Sequence, residues 1–226
     1  MQSVRTTGLI FDMDGTMVDS IPYHTKSLEV FCERRGMDVD IDDLMRRVNG
    51  LNGAESMQEL FQRPLDDAEA WALIHEKEVI YRELFAPAFK EVPGIREFAS
   101  AAAARGMKYG VGTAGDKHNI AFVFSHLKLD PAPLAIVGGD EGLPGKPDPA
   151  IFLEVAKRMD AAVPGCIVFE DAPHGIEAAR RAGMRAVGIC TTHTPAELAG
   201  PHVMATVQNF DELLDMNFLE KLHANA

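Results

Sequence analysis

The chain is 226 residues long, 46% hydrophobic and 25% charged, with a formal net charge of −12. Those values exclude a fibrous or low-complexity chain and bound the fold to one large domain, or a core with a smaller companion. The acidic balance argues against nucleic acid or an anionic membrane as the main partner, and any site for an anionic substrate would need local cations.

In chain order, TGLIF (7–11) reads as a short buried strand that runs into the carboxylate-rich stretch FDMDGTMVDS (11–20). From about Ile21 to Phe89 the pattern is nearly strand-free. Leu28, Phe31, Cys32 and Arg35 share one helical face, a long helical pattern spans Asp66 to Phe85, and the lone Trp71 is expected in the core of this segment. APAFKEVPG (86–94) reads as the return segment. From Met107 onward, apolar runs at 109–112, 134–139, 166–170, 185–189 and 204–207 alternate with helical patterns. In one of these, Phe152, Val155, Ala156 and Met159 fall on a single face, with Pro147 and Pro149 just ahead of it. Strands separated by helices of this length predict a parallel sheet with right-handed crossovers. The expected fold is α/β: a Rossmannoid parallel-sheet core over residues 1–20 and 90–226, with a helical cap, 21–89, inserted into it.

No apolar run approaches the roughly 20 residues of a membrane span. The first residues do not read as a signal peptide. Three widely spaced cysteines, Cys32, Cys166 and Cys190, read as reduced thiols rather than a disulfide or zinc set. The expected location is the cytoplasm.

Ligands of an open parallel sheet bind beyond the carboxyl ends of its strands. The residues that follow the apolar runs are Asp12 and Asp14, then Thr113, then Glu170 and Asp171, with Lys146 in the turn-rich LPGKPDP. Four acids, a hydroxyl and a lysine converging at one sheet end suit Mg²⁺-dependent phosphoryl transfer. Hard oxygen ligands favour Mg²⁺, one carboxylate can attack phosphorus, and the cations offset the repulsion between two anions. A second carboxylate two residues on can carry the proton for the leaving group.

DMDGTMVDS, Thr113, Lys146 in GKPDP, and FEDAPHGIEAA resemble, in order, the four motifs of the haloacid dehalogenase superfamily. The resemblance spans essentially the whole chain. It implies that Asp12 is the nucleophile and Asp14 the general acid/base. It also implies that Mg²⁺ is bound by Asp12, the Asp14 backbone carbonyl and Asp171, with Glu170 close by, and that Thr113 and Lys146 hold phosphate. Where the motif usually has a second polar residue this chain has Ala114, so the backbone of Gly115 and Asp116 is expected to take up that phosphate contact. The pair Asp12/Asp14 argues against dehalogenation.

The nearer resemblance is to the β-phosphoglucomutase-like branch and related sugar- and polyol-phosphate phosphatases. It implies substrate-side roles for His24, Lys77 and the glycine-containing segment that begins at Gly50. Lys77 lies on a helical stripe with Leu73, Ile80 and Leu84, so it either snorkels outward or enters a cleft. The mutase segment carries an arginine for a second phosphate, whereas GLNGAES (50–56) has Gly53 there. Losing a bidentate donor favours hydrolysis of a small phosphate ester over isomerisation, with Arg46 or Arg47 as nearby substitutes. A receiver-type signalling domain uses a similar acid, Thr and Lys set, but lacks a helical insert and an added acid/base. A monomer or weak homo-oligomer is expected.

Overall fold

The computed structural model describes residues 6–48 and 51–224. Six parallel strands form one sheet: β1 (Gly8–Phe11), β2 (Lys108–Gly112), β3 (Ala135–Val137), β4 (Cys166–Glu170), β5 (Arg185–Ile189) and β6 (Val203–Val207). Their order is β3-β2-β1-β4-β5-β6, so β1 lies at the centre between β2 and β4. The helices, in chain order, are α1 (Ile21–Arg34), α2 (Ile41–Val48), α3 (Gly53–Phe61), α4 (Asp67–Phe85), α5 (Ile95–Ala104), α6 (Lys117–Leu127), α7 (Ala150–Arg158), α8 (Pro173–Arg181), α9 (Phe210–Asp215) and α10 (Phe218–Ala224).

The strands read as unbroken apolar runs because both faces of the sheet are covered. Side chains alternate across a strand, and the two cores follow that alternation. Leu9 and Phe11 pack with Phe98, Val123, Phe210 and Phe218 on one face. Ile10 packs with Phe152, Val155 and Ile176 on the other. The four apolar residues foreseen on α7 all lie in that second cluster.

Between β1 and β2 the chain forms α1 to α4 around a third cluster, with Leu28 and Phe31 from α1, Leu44 from α2, Leu60 from α3 and Ile80 from α4. Arg35, just past α1, spreads its guanidinium 3.8 Å above the Phe31 ring and grips Glu76 with two hydrogen bonds. Starts are well marked: Asn52 forms a capping box with Glu55 at α3, and Asp66 accepts from the Glu69 N–H at α4. Trp71 departs from expectation. It is 43% exposed, because Ala70 takes the inward position on that turn of α4.

The two segments that join these helices to the sheet run side by side. The Asp19 N–H donates to Lys90 O at 2.9 Å, and the Val92 N–H donates to Met17 O at 3.0 Å. The Asp19 carboxylate also pairs with the Lys90 ammonium at 2.8 Å. The three cysteines are free thiols. Among the described residues no helix is long and apolar enough to cross a membrane.

Candidate active site

The register of the sheet brings the first acids together. Phe11 of β1 pairs with Phe169 of β4, so Asp12 and Glu170, each the next residue, lie abreast where these strands end. Asp171 follows at once. Oxygens of Asp12, Glu170 and Asp171 all lie within 4.8 Å of one another, and all three residues are buried. Lys146 reaches in from the loop before α7. Its Nζ donates to Asp12 Oδ1 at 2.5 Å and to Glu170 Oε1 at 2.6 Å.

Each carboxylate has a fitted seat. Glu170 Oε2 accepts from the Ala172 N–H at 2.9 Å, and at Gly175 a Cβ would collide with Glu170 Oε1. Thr16 and Thr192 hydroxyls donate to the two oxygens of Asp171 at 3.2 and 2.5 Å. Gly15, at φ +82°, passes so close to Asp171 that any side chain would displace its carboxylate.

Burial, reinforced by Glu170 and Asp171, raises the proton affinity of Asp12 well above the ordinary carboxylate range despite Lys146. Burial and the Glu170 charge push Asp171 up to about 7. Burial alone would strip the proton from Lys146, but Asp12 and Glu170 outweigh it and hold the ammonium charged. With all three acids ionised, as cation ligation requires, the single ammonium of Lys146 would leave two negative charges uncompensated. A divalent cation with hard-oxygen preference supplies the missing charge, so the residues present fit Mg²⁺.

The Asp14 carboxylate turns away from this group. Its Oδ1 accepts from Ser20 Oγ at 2.7 Å and Tyr81 OH at 3.3 Å, and it lies 3.2 Å from His24 Nε2. His24 Nδ1 lies 2.7 Å from Lys77 Nζ. An ammonium only donates, so Nδ1 accepts, and the imidazole proton on Nε2 is directed at Asp14. The His24 ring stacks on Tyr81 at 3.8 Å. Burial would raise the proton affinity of Asp14, but His24, Ser20 and Lys77 together hold it below its ordinary value. Two acids separated by one residue thus sit in opposite environments.

The stripe on α4 divides. Leu73, Ile80 and Leu84 pack in the third cluster, whereas Lys77 turns its ammonium to His24 and Glu78. Glu78 also accepts from the Asn119 amide at 2.6 Å, and Arg82 donates to Asn119 Oδ1 at 2.7 Å. Asn119, at the start of α6, therefore ties α4 to the sheet side of the molecule.

Thr113 is buried at the end of β2, and its hydroxyl accepts from the Gly115 N–H at 3.0 Å, which leaves its proton to donate. Asp14, His24, Lys77, Ala114 and Gly115 all line one cavity of about 650 Å³. Five of the eleven residues singled out by sequence thus line this cavity, Asp12, Lys146, Glu170 and Asp171 form the buried group described above, Thr113 is buried at the end of β2, and Gly50 lies outside the described residues. Arg46 and Arg47 do not enter it: both pair with Asp43, and Arg47 also with Glu59. Sequence reasoning missed Ser20, Tyr81, Glu78, Asn119, Thr16 and Thr192. Only Glu78, an acid next to Lys77, carried any local signal.

The description "haloacid dehalogenase-like hydrolase" belongs to the family that matches residues 9–189. The chain is 34% identical over 185 residues to the fructose-1-phosphate phosphatase YqaB of Escherichia coli, covering 82% of this chain and 97% of that one. It is 31% identical over 189 residues to the β-phosphoglucomutase of Bacillus subtilis, covering 80% and 82%. Among solved structures, a hydrolase from Pseudomonas syringae superposes with a TM-score of 0.82 at 26% identity, covering 96% of this chain and 99% of that one.

Proposed function

The chain belongs to the haloacid dehalogenase-like hydrolase family, and from that premise we propose that it is a Mg²⁺-dependent phosphatase of a small phosphorylated sugar or polyol, acting through an aspartyl-phosphate. The observation that carries this reading is the contrast between Asp12 and Asp14. The Asp12 carboxylate lies among Glu170, Asp171 and Lys146, where a cation and a phosphoryl group would sit, whereas the Asp14 carboxylate turns to Ser20, Tyr81 and His24, so the two acids are placed for divided nucleophile and acid/base roles.

Asp12, Glu170 and Asp171 are the residues that would hold the cation, which when bound offsets charge on the transferring phosphoryl group. Asp12 attacks phosphorus. Lys146 neutralises the approaching anions, and the Thr113 hydroxyl, itself oriented by the Gly115 N–H, takes the phosphoryl oxygens with the Ala114 N–H. Before substrate arrives, Asp14 is ionised. A phosphate dianion beside it raises its proton affinity, so Asp14 gains a proton on binding. It hands that proton to the departing alkoxide, then takes one from the water that cleaves the aspartyl-phosphate. His24, fixed by Lys77 and by the Tyr81 ring, aims its proton at Asp14 throughout. Helices α1 to α4 act as the cap that covers the substrate and shields transfer from bulk water.

Hydrolysis is better supported than isomerisation. Among the described residues lining the cavity, Lys77 is the only lysine or arginine, and it is already engaged by His24 and Glu78. A bisphosphate intermediate needs a second phosphate grip, and none is offered there. The test is incubation of purified protein with Mg²⁺ and either fructose 1-phosphate or β-glucose 1-phosphate. Free phosphate is expected, and chelation of the metal should abolish it. Conversion of β-glucose 1-phosphate into glucose 6-phosphate without free phosphate would sink the phosphatase reading.

A further inference from the structure

The cavity extends well past the reacting centre. Along α4 it is lined by Lys77, Ile74, Trp71 and Asp67 in turn. At 1.5 Å per residue, Trp71 lies about 9 Å and Asp67 about 15 Å beyond Lys77. A volume of about 650 Å³ falls within the range of about 300–1,000 Å³ usual for small-molecule sites.

The chemistry of the lining changes along that length. At the Asp14 end it is polar. Asp116 caps α6 through Oδ1, which accepts from the N–H groups of His118 and Asn119. Its Oδ2 is buried beside the cavity with no hydrogen-bond partner among the described residues. Farther out the walls are Leu51, Met57, Trp71 and Ile74 from the helical segment, with Leu143 and Pro144 opposite. A half-exposed tryptophan at the mouth of such a wall offers a flat apolar face to a ligand. Charge in the lining is one-sided: five carboxylates, Asp14, Asp67, Glu78, Asp116 and Asp140, against the single ammonium of Lys77. A second anionic group on the ligand would meet repulsion without a partner.

We propose that the alcohol released is a polyol or sugar that carries an uncharged apolar substituent and no second anionic group. The substituent lies against Trp71 and Ile74. This deepens the phosphatase reading and rests on it.

The test uses four esters of primary alcohols with Mg²⁺: glycerol 1-phosphate, its 3-O-naphthyl ether, fructose 1-phosphate and fructose 1,6-bisphosphate. The two glycerol esters share their scissile bond and differ only in the apolar group. The naphthyl ether should show a KM at least tenfold below that of glycerol 1-phosphate with kcat within about threefold, and a higher kcat/KM than either fructose ester. The bisphosphate should be the poorest substrate. In Trp71→Ala, an exposed position where folding is not at risk, the ratio of the two glycerol KM values should shrink at least fivefold. Equal KM values for the glycerol pair, a fructose ester matching the naphthyl ether, or a ratio untouched by Trp71→Ala would each overturn the proposal. Release of phosphate from none of the four would instead overturn the phosphatase reading.

Discussion

Asp12 and Asp14 differ by what surrounds them more than by where they stand in the chain. Asp12 shares a buried space with two further acids and an ammonium, whereas Asp14 faces an imidazole, a serine and a tyrosine hydroxyl. Asp14→Asn should therefore lower kcat by about 10²- to 10⁴-fold, the usual worth of a positioned acid/base. It should leave metal affinity nearly unchanged, as measured by calorimetric titration with Mg²⁺. His24→Gln tests the source of the low Asp14 proton affinity. Burial raises that affinity and His24 is the largest influence opposing it, so its loss should move the acidic limb of the kcat–pH profile to higher pH. A limb that stayed in place would show that His24 does not set the Asp14 ionisation.

At the scale of elements, the sheet was legible because its strands are buried on both faces and stand out as apolar runs between helical patterns. CIVFE and RAVGI match β4 and β5 residue for residue. The helical segment was legible from a want of strands. What joins it to the sheet was not, since Tyr81, Arg82 and Asn119 carry no periodic or motif signal, Glu78 has only its place beside Lys77, and all four acquire meaning only when α4 lies beside α6. Trp71 was misjudged because a large apolar residue on a helix reads as core, whereas small Ala70 fills the inward place. Two predictions belong here. Asn119→Leu leaves Glu78 and Arg82 without their shared amide, and each stranded polar group costs about 1–3 kcal/mol. The melting temperature should fall by several degrees, read by calorimetry. Asp66→Ala removes the cap of α4 and should cost about 1 kcal/mol, with a smaller fall in the same measurement.

For the molecule as a whole, stability should depend jointly on pH and metal. Asp171 titrates near 7 in the metal-free fold against 3.8 ordinarily. Between those values the folded chain binds more protons than the unfolded one, so this contribution is fully present below about pH 4 and is lost as pH rises through 7. Mg²⁺ competes with the proton for the same oxygens. It should raise the melting temperature by roughly 5–10 °C at pH 8 when present at about a hundred times its dissociation constant, and much less at pH 5. Equal shifts at both pH values would count against cation binding by these acids. The arrangement of Lys77 and His24 has a further consequence, for evolution and engineering. Both residues belong to the helical insertion, yet the chain of contacts from Lys77 through His24 ends on Asp14, in the loop that follows β1. A chimaera that borrows another relative's residues 21–89 would exchange substrate preference and acid/base tuning in one stroke. On the proposed mechanism, substitutions at the Trp71 end of α4 would leave the acid/base pair in place, whereas substitutions on the turn bearing Lys77 and Glu78 would disturb it.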